Sequence, residues 1–365
     1  MGTYGKLDKL EIRGFKSIEK LRIDLAPLNI IIGPNGAGKS NFIGFFKFVN
    51  KILEKDLQFY VSQQLGADKL LHFGRKKTDF IQCYLEFTPN AYSFKLAPDA
   101  AGGLLFAEEK CWFFAERVNY SGGTKQIALA RAGSHESGLP QRPNSASPAG
   151  HVVRYLQDWK VYHFHDTSDS AKVKQPGKIS ETNSLLPHAD NLAAFLRSIR
   201  ETLSYRHIVR NIQRVAPFFL DFVLEPERDN QSLIKLRWKH RGADETFDAA
   251  DFSDGTLRFI CLTTLLLQPE LPTILLLDEP ELGLHPYAIQ ILAGMMRSIS
   301  ERTQIIASTQ SVTLANQFSW QDLIVVDRVN DATQFRRLKA KELEKWMGQF
   351  SAGDLWEKNI IGGTP

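Results

Sequence analysis

The stretch Leu28–Asn41 decides the fold, and it reads LNIIIGPNGAGKSN. Its first part is rich in isoleucine and runs directly into Gly33 and Pro34, a pattern that predicts a short buried strand. Residues Gly33–Ser40 then match G-x-x-x-x-G-K-[ST] in full. Apolar side chains recur at helical spacing from Phe42 to Leu53. A strand, a glycine-rich loop and an amphipathic helix therefore follow one another in the order that a phosphate-binding loop requires.

This loop predicts a site for the phosphates of a nucleotide. Glycines let the backbone turn with its N–H groups pointing inward, and the following helix adds its positive dipole end. Lys39 would reach the β- and γ-phosphates, and the hydroxyl of Ser40 would ligate Mg²⁺. The nucleotide-binding residues predicted here are Gly33, Pro34, Asn35, Gly36, Ala37, Gly38, Lys39, Ser40 and Asn41.

A second apolar run, Thr273–Leu277, ends in the two carboxylates Asp278 and Glu279. Burial of the strand would fix Asp278 where it can hold the shell of a magnesium ion, and Glu279 could polarise an attacking water. Taken alone, the pattern also fits a strand that simply leaves the core. In a chain that carries the phosphate loop, it predicts the metal ligand and the general base.

Composition excludes several other classes of protein. The chain has 365 residues, 45 basic and 41 acidic side chains, and 43% hydrophobic residues, which is ordinary for a globular protein and not for a disordered one. No apolar run is long enough to span a membrane, and the N-terminus lacks a secretory signal. The three cysteines form no CxxC pair, so we expect free thiols and a cytoplasmic location.

The rest of the chain predicts a mixed organisation. Short alternating runs between residues 79 and 130 favour an antiparallel sheet, Ser134–Gly150 is typical of a mobile loop, and no sustained heptads predict a long coiled coil. We expect four segments: an N-terminal lobe with the phosphate loop at 1–185, a helical and β insert at 186–250, a C-terminal lobe at 251–330, and a tail at 331–365.

Three motifs together resemble the ATPase heads of the ABC type. They are the phosphate loop, the segment Ser253–Arg258 (SDGTLR) and the segment Asp278–Pro286 (DEPELGLHP). The opening Arg13–Ile18 (RGFKSI) is similar to the SMC, RecF and OLD-like branch. More narrowly, the chain resembles stand-alone bacterial "predicted ATPases", labelled AAA although ABC-like, which share the STQS of Ser308–Ser311 and a similar tail. The resemblance implies an α/β fold with a phosphate-loop core, an antiparallel β subdomain and a helical insert.

The same resemblance implies further site residues. Ser253, Asp254 and Gly255 would contact the γ-phosphate bound to another subunit, which implies a head-to-tail homodimer; without the resemblance they would be a turn and a helix cap. Gln310 stands where many such heads carry a histidine that senses the γ-phosphate. A glutamine donates a hydrogen bond but cannot titrate, so slow hydrolysis is expected. For the glutamine that contacts Mg²⁺ in such enzymes, Gln82 is our choice.

The resemblance also implies a function. ATP and Mg²⁺ would join two heads, hydrolysis assisted by Glu279 would release them, and relatives act in DNA repair or anti-phage defence, with DNA or an effector nuclease encoded nearby. The alternative is a nucleotide-gated scaffold or sensor that holds or releases an effector protein and binds little DNA. His163 and His165 share one strand face, but no partner spacing supports zinc, so ordinary strand packing is the favoured interpretation.

Overall fold

The computed structural model describes residues 5–118, 123–141, 147–346 and 349–363. Residues 1–4 lie outside these ranges, so the expected lack of a secretory signal there stays a prediction. Residues 142–146 of the predicted loop lie outside them as well. The strands are β1 (Lys9–Phe15), β2 (Ile18–Asp24), β3 (Leu28–Ile32), β4 (Ile81–Phe87), β5 (Asn90–Pro98), β6 (Leu104–Phe114), β7 (Thr124–Ala128), β8 (Lys160–Tyr162), β9 (Gly177–Lys178), β10 (Phe219–Val223), β11 (Leu233–Ile234), β12 (Arg237–His240), β13 (Thr246–Asp248), β14 (Ile274–Asp278), β15 (Gln304–Thr309), β16 (Leu323–Val329) and β17 (Ala332–Arg337).

Eleven α-helices are described in these ranges. They are α1 (Lys39–Leu53), α2 (Leu57–Gln63), α3 (Ala67–Leu70), α4 (Pro148–Gln157), α5 (Leu192–Ser198), α6 (Leu203–Val215), α7 (Asp254–Leu267), α8 (Pro286–Ile299), α9 (Val312–Ala315), α10 (Ala340–Leu343) and α11 (Ala352–Glu357). Within the described ranges no helix is long and apolar enough to cross a membrane. The longest helix described is α1, with 15 residues, which agrees with the prediction of a head without a long coiled coil.

The central sheet has the strand order β17-β16-β3-β15-β14-β8. Strands β16, β3, β15, β14 and β8 run parallel, and β17 pairs antiparallel with β16 at one edge. All residues of β3 are buried, as expected for a parallel strand covered on both faces. Ile31 packs into the core on the side of α1, whereas Ile30 and Ile32 pack into the core on the other side. The phosphate loop thus leaves an interior strand of a doubly covered sheet.

A second sheet is antiparallel, with the order β2-β1-β4-β5-β6-β7. This confirms the predicted antiparallel subdomain. The prediction of a loop over Ser134–Gly150 is wrong at its C-terminal end, which is helical, and its mobility stays a prediction. The carboxylate of Glu136 accepts hydrogen bonds from the backbone N–H groups of Leu57 (3.3 Å) and Gln58 (3.1 Å), and α4 already begins at Pro148. These polar contacts to α2 hold the segment in place. No local sequence pattern predicts them.

The insert between the lobes contains α5, α6 and the small sheet β10-β12-β13. Helix α6 packs against α7, so the insert continues into the C-terminal core. The four segment boundaries stay predictions. The one at 330–331 falls in the turn between β16 and β17, two strands that pair along their whole length.

Candidate nucleotide site

The glycine-rich loop turns through left-handed backbone at two glycines, Gly36 (φ 75°) and Gly38 (φ 113°). A Cβ at Gly38 would also overlap the hydroxyl of Thr333, so only glycine fits there. Helix α1 begins at the next residue, Lys39, and has no side-chain cap at its N-terminus. Its first-turn N–H groups therefore face the loop, where an anion can accept their hydrogen bonds.

A residue far away in the chain supports this loop. Thr333 Oγ1, from β17, lies 2.8 Å from the carbonyl oxygen of Ala37 and 2.7 Å from Ser17 Oγ. Asn41 Nδ2 donates to the same Ser17 hydroxyl at 2.8 Å. The sequence predicts that Asn41 contacts the nucleotide. In addition, its hydrogen bond to Ser17 connects α1 to the turn between β1 and β2. No local motif in the sequence points to Thr333.

Lys39 is held inside the loop that it serves. Its side chain is 4% exposed, and Nζ donates to the carbonyl oxygens of Gly33 (2.7 Å) and Pro34 (3.0 Å). Burial lowers the pKa of Lys39, and the opposing field of three carboxylates (Glu279, Asp278 and Glu281) raises it. The ammonium group thus lies between the loop and an acidic cluster, which is where a nucleotide phosphate bridged to a cation would sit.

The acidic cluster is built at the end of β14. Strand β15 lies between β3 and β14, so the carboxyl ends of the three strands meet at one edge. Ser308 Oγ, on β15, donates a hydrogen bond to the carboxylate of Asp278. The N–H of Glu279 donates to Ser308 O at 2.9 Å, and Glu279 itself has φ 44°. A left-handed backbone conformation is energetically unfavourable for glutamate. Its presence at the end of β14 indicates that the surrounding contacts constrain Glu279.

Gln310 contacts the predicted base directly. Its side-chain Nε2 donates to the carboxylate of Glu279, and its backbone N–H lies 3.4 Å from Glu281 Oε1. Thr309 Oγ1 donates to that same Glu281 oxygen. Sequence reasoning assigned no role to Glu281 or Thr309, although both belong to segments quoted for the resemblance. The structure therefore connects the glutamine at the switch position to both carboxylates that follow Asp278.

Glu281 is a buried acid with an altered protonation equilibrium. It is 7% exposed, and burial raises its pKa to about 7, against the lowering effect of the hydrogen bonds from Thr309 and from backbone N–H groups. Its second oxygen, Oε2, has no hydrogen-bond partner among the described residues. This carboxyl group therefore keeps its proton to a higher pH than an exposed glutamate does.

Ser40 and Asp278, two of the residues predicted to hold Mg²⁺, lie at the ends of the phosphate loop and of β14. The side chain of Ser40 is exposed at the start of α1, and Asp278 is half-buried at the end of β14. A hydroxyl and a carboxylate are the hard oxygen ligands that this ion prefers, together with water and phosphate oxygens. These two residues fit the ion. Across the described ranges, no group of three or more His, Cys, Asp or Glu residues forms a self-sufficient metal cage.

Gln82 is not brought to this site. It lies in β4 of the antiparallel sheet, exposed, between its register partners Arg13 and Lys95. The neighbour of β14 is instead β8, in which Tyr162 pairs with Leu277, so that His163 follows beside Asp278. The role of Gln82 stays a prediction: no contact described here joins it to Ser40 or Asp278, and a single glutamine in an alternating strand carries no local signal for that role. His163 and His165 lie just after β8, which ends at Tyr162, so the prediction that they share a strand face is wrong.

Ser253 caps α7 by accepting a hydrogen bond from the N–H of Thr256 at 3.3 Å. Ser253 and Asp254 are exposed, and a Cβ at Gly255 would overlap the carbonyl oxygen of Gly283. In the part of the chain described, no hydrogen bond joins this helix start to the phosphate loop. The N-terminus of α7 is therefore exposed and, among the described residues, capped only by Ser253 of its own segment.

Arg258, one turn into α7, connects three segments. Its guanidinium donates to the carbonyl oxygens of Phe164 (2.9 Å), His165 (3.0 Å) and Leu282. These carbonyls belong to the segment after β8 and to the loop after β14. The position of the signature helix is thus fixed to both segments that border Asp278 and Glu279.

Comparison with known proteins gives three findings. Residues 28–316 match the family described as "AAA domain, putative AbiEii toxin, Type IV TA system". The Chromosome partition protein Smc of Methanocaldococcus jannaschii is 35% identical over 98 residues, which are 26% of this chain and 8% of that protein. The chain therefore aligns with only a small part of the length of this relative.

Two solved structures are similar in fold. The Smc head bound to the C-winged helix domain of ScpA superposes with a TM-score of 0.60 at 15% identity, covering 93% of this chain and 99% of that one. The Smc head with an extended coiled coil, bound to the C-terminal domain of ScpA from Pyrococcus furiosus, gives 0.56 at 14% identity, covering 93% and 98%. The chain thus has the fold of an SMC-type ATPase head, and it belongs to the AAA family that its residues 28–316 match.

Proposed function

We propose that this chain binds ATP with Mg²⁺ and hydrolyses it between two copies arranged head to tail in the cytoplasm. The observation that carries the proposal is the meeting of Lys39, Asp278 and Glu279 at the carboxyl ends of three neighbouring strands. Lys39 would leave the carbonyls of its own loop for the β- and γ-phosphates. Ser40 and Asp278 would hold the ion, which neutralises charge on the phosphates when it is bound.

Glu279 would orient and deprotonate the attacking water. Its backbone is fixed by Ser308, and one carboxylate oxygen accepts from Gln310, which leaves the other oxygen for water. Gln310 would hold the carboxylate of Glu279 in place but would take no part in proton transfer, because its amide group does not titrate. General-base catalysis by a positioned carboxylate is worth roughly 10²–10⁴-fold in rate.

The signature segment supports the dimer. Ser253 and Asp254 lie at an exposed helix start, and such a start binds anions well. A second copy related by a twofold axis would place this start on the γ-phosphate held by the first, and the reverse contact would follow by symmetry.

A direct experiment measures phosphate release by the wild type and by Glu279→Gln at saturating MgATP. We expect turnover by the wild type and a loss of at least about 100-fold in the variant, with ATP binding retained. Equal rates in the two proteins would refute the role of Glu279.

We propose that the ATPase acts with DNA or with an effector nuclease in DNA repair or anti-phage defence. The sequence has two clusters of basic side chains, Arg75–Lys77 and Arg336–Lys341. In the second cluster, Arg336 and Arg337 are bound inside the chain, by Glu342 and by backbone carbonyls. Lys76, in the cluster Arg75–Lys77, is exposed and is the better candidate for a phosphate contact. DNA affinity that falls with salt and rises with ATP would support this use.

A second candidate is a nucleotide-gated scaffold that holds or releases a toxin or effector protein. The bond between Gln310 and Glu279 favours it, since a base held by a side chain that cannot titrate suits slow turnover. The family description names a toxin and a Type IV TA system, and the similar Smc heads are bound to domains of ScpA. Tight binding of an effector with no effect of DNA would favour this candidate.

A further inference from the structure

Residues 351–363, here called the tail strap, run from the segment that follows Gln310 to the phosphate loop. At the first end, Ser351 Oγ donates to Asn316 Oδ1 at 2.6 Å. Gly353 lies so close to the end of α9 that a Cβ added to it would overlap Oδ1 of Asn316. Asn316 ends α9, and the residue that caps the start of α9 is Ser311, next to Gln310. The strap is thus anchored on the helix that follows the switch glutamine.

At its other end, three side chains hold the strap backbone. Trp356 Nε1 donates to Gly363 O at 2.6 Å, the N–H of Gly363 donates to Asp327 Oδ1 at 2.8 Å, and Arg336 donates to Ile361 O at 2.7 Å. Trp356 is buried within the core that lies under α9. The hydrogen bonds fix the position of the backbone around Gly363.

This end lies directly on the phosphate loop. A Cβ added to Gly363 (φ 77°) would be 2.9 Å from Val325 Cγ1 and 3.6 Å from the Cα of Gly33, the first residue of the loop. Gly33 could not carry a side chain either, because a Cβ added to it would overlap the carbonyl oxygen of Val326. The same Gly33 carbonyl accepts the hydrogen bond from Lys39 Nζ. Gly33 is therefore confined by β16 and by the strap.

We propose that the tail strap is a positioning element that sets the phosphate loop and Gln310 together, with Gly363 and Trp356 as its positioning residues. This inference rests on the proposed binding of ATP. When Lys39 turns from the Gly33 carbonyl to the phosphates, Gly33 settles against Gly363, and the strap passes this change through Trp356 to α9. Neither Gly363 nor Trp356 touches the nucleotide.

The test compares two strap variants with a matched control. Gly363→Ala adds a methyl group where Val325 and Trp356 leave no room. Trp356→Phe keeps an aromatic ring at this position, removes the N–H donor and leaves a small cavity where the rest of the indole was. Gly294→Ala, in α8, is the control, because a Cβ there meets nothing within 4 Å. For each protein we would measure the Kd of MgATP, the turnover number, thermal unfolding without nucleotide, and hydrogen exchange of the backbone with and without MgATP.

We expect Gly363→Ala to raise the Kd about tenfold and Trp356→Phe about fivefold, since small misplacements of a binding group have effects of this order. Gly294→Ala should match the wild type. In the wild type, MgATP should slow exchange in residues 311–316 and 351–363 together, and Trp356→Phe should abolish the change at 311–316. If Gly363→Ala does not fold, Trp356→Phe decides.

Lower thermal stability with unchanged Kd and unchanged exchange coupling would overturn the inference and leave a merely structural strap. Wild-type values for both variants would overturn it as well. A wild type that binds no MgATP would instead refute the proposed function, and the inference with it. The wild-type measurement therefore separates the two failures.

Discussion

At the scale of single residues, Lys39 carries the strongest expectation. Its ammonium group is buried, is bonded only to carbonyls of its own loop among the residues described, and faces three carboxylates. Lys39→Ala should raise the Kd of MgATP at least about 100-fold, which corresponds to roughly 2.7 kcal/mol. Lys47→Ala, an exposed position two turns further along α1, is the control and should bind normally. Titration of a fluorescent ATP analogue would measure both, and retained affinity in Lys39→Ala would contradict the loop assignment.

The buried acid Glu281 predicts a pH dependence of stability. Its pKa rises from the ordinary 4.5 to about 7 in the folded chain. A raised folded pKa means stability that is complete below pH 4.5 and is lost as pH rises to 7, because the unfolded chain releases the proton first. The loss by pH 8 is at most about 3 kcal/mol. Glu281→Gln keeps the acceptor for Thr309 and removes the titration.

Urea unfolding at pH 5 and pH 8 would measure this difference. The free energy of unfolding of the wild type should fall relative to Glu281→Gln between these two values. Parallel pH profiles of the two proteins would show that Glu281 is ionised in the folded chain, contrary to the effect of its burial.

At the scale of elements, α7 depends on Arg258. This one side chain bonds to carbonyls of two segments that pack beside the helix. Arg258→Met keeps much of the length of the side chain but removes the donor to the buried carbonyl of Phe164 and to the part-buried carbonyls of His165 and Leu282, so we expect a loss of about 1–3 kcal/mol in the free energy of unfolding. Arg228→Met, at an exposed position, serves as the control. Chemical denaturation measures both, and equal stability would contradict the role given to Arg258.

Elements that depend on local chemistry were predictable. The order of β3, the phosphate loop and α1 follows from apolar runs, glycines and helical spacing, and β14 follows from an apolar run ending in carboxylates. The contacts of Thr333 and Arg258 were not predicted, although Arg258 belongs to the SDGTLR segment, because each side chain binds backbone carbonyls distant in the sequence and such contacts leave no periodic pattern. The same limit applies to Gln82, where a family role was carried over to a residue without any motif around it.

At the scale of the whole molecule, the exposed start of α7 predicts assembly controlled by nucleotide. Glu279→Gln should bind ATP without consuming it, so its mass by light scattering should double on addition of MgATP. The double variant Lys39→Ala/Glu279→Gln removes the predicted binding and should keep the mass it has without nucleotide. An identical mass for Glu279→Gln with and without MgATP would count against sites shared between two copies.

The support of the phosphate loop by Thr333 has a consequence for synthesis on the ribosome. Strand β3 is made early, but its neighbours β15 and β16 and the hydroxyl that holds Ala37 come from residues 304–333. A nascent chain in which Gly33–Ser40 have been synthesised but β15, β16 and Thr333 have not therefore contains the sequence motif without the elements that support its conformation. Such a chain cannot yet capture nucleotide, and translation itself delays the first encounter with ATP until most of the protein has been made.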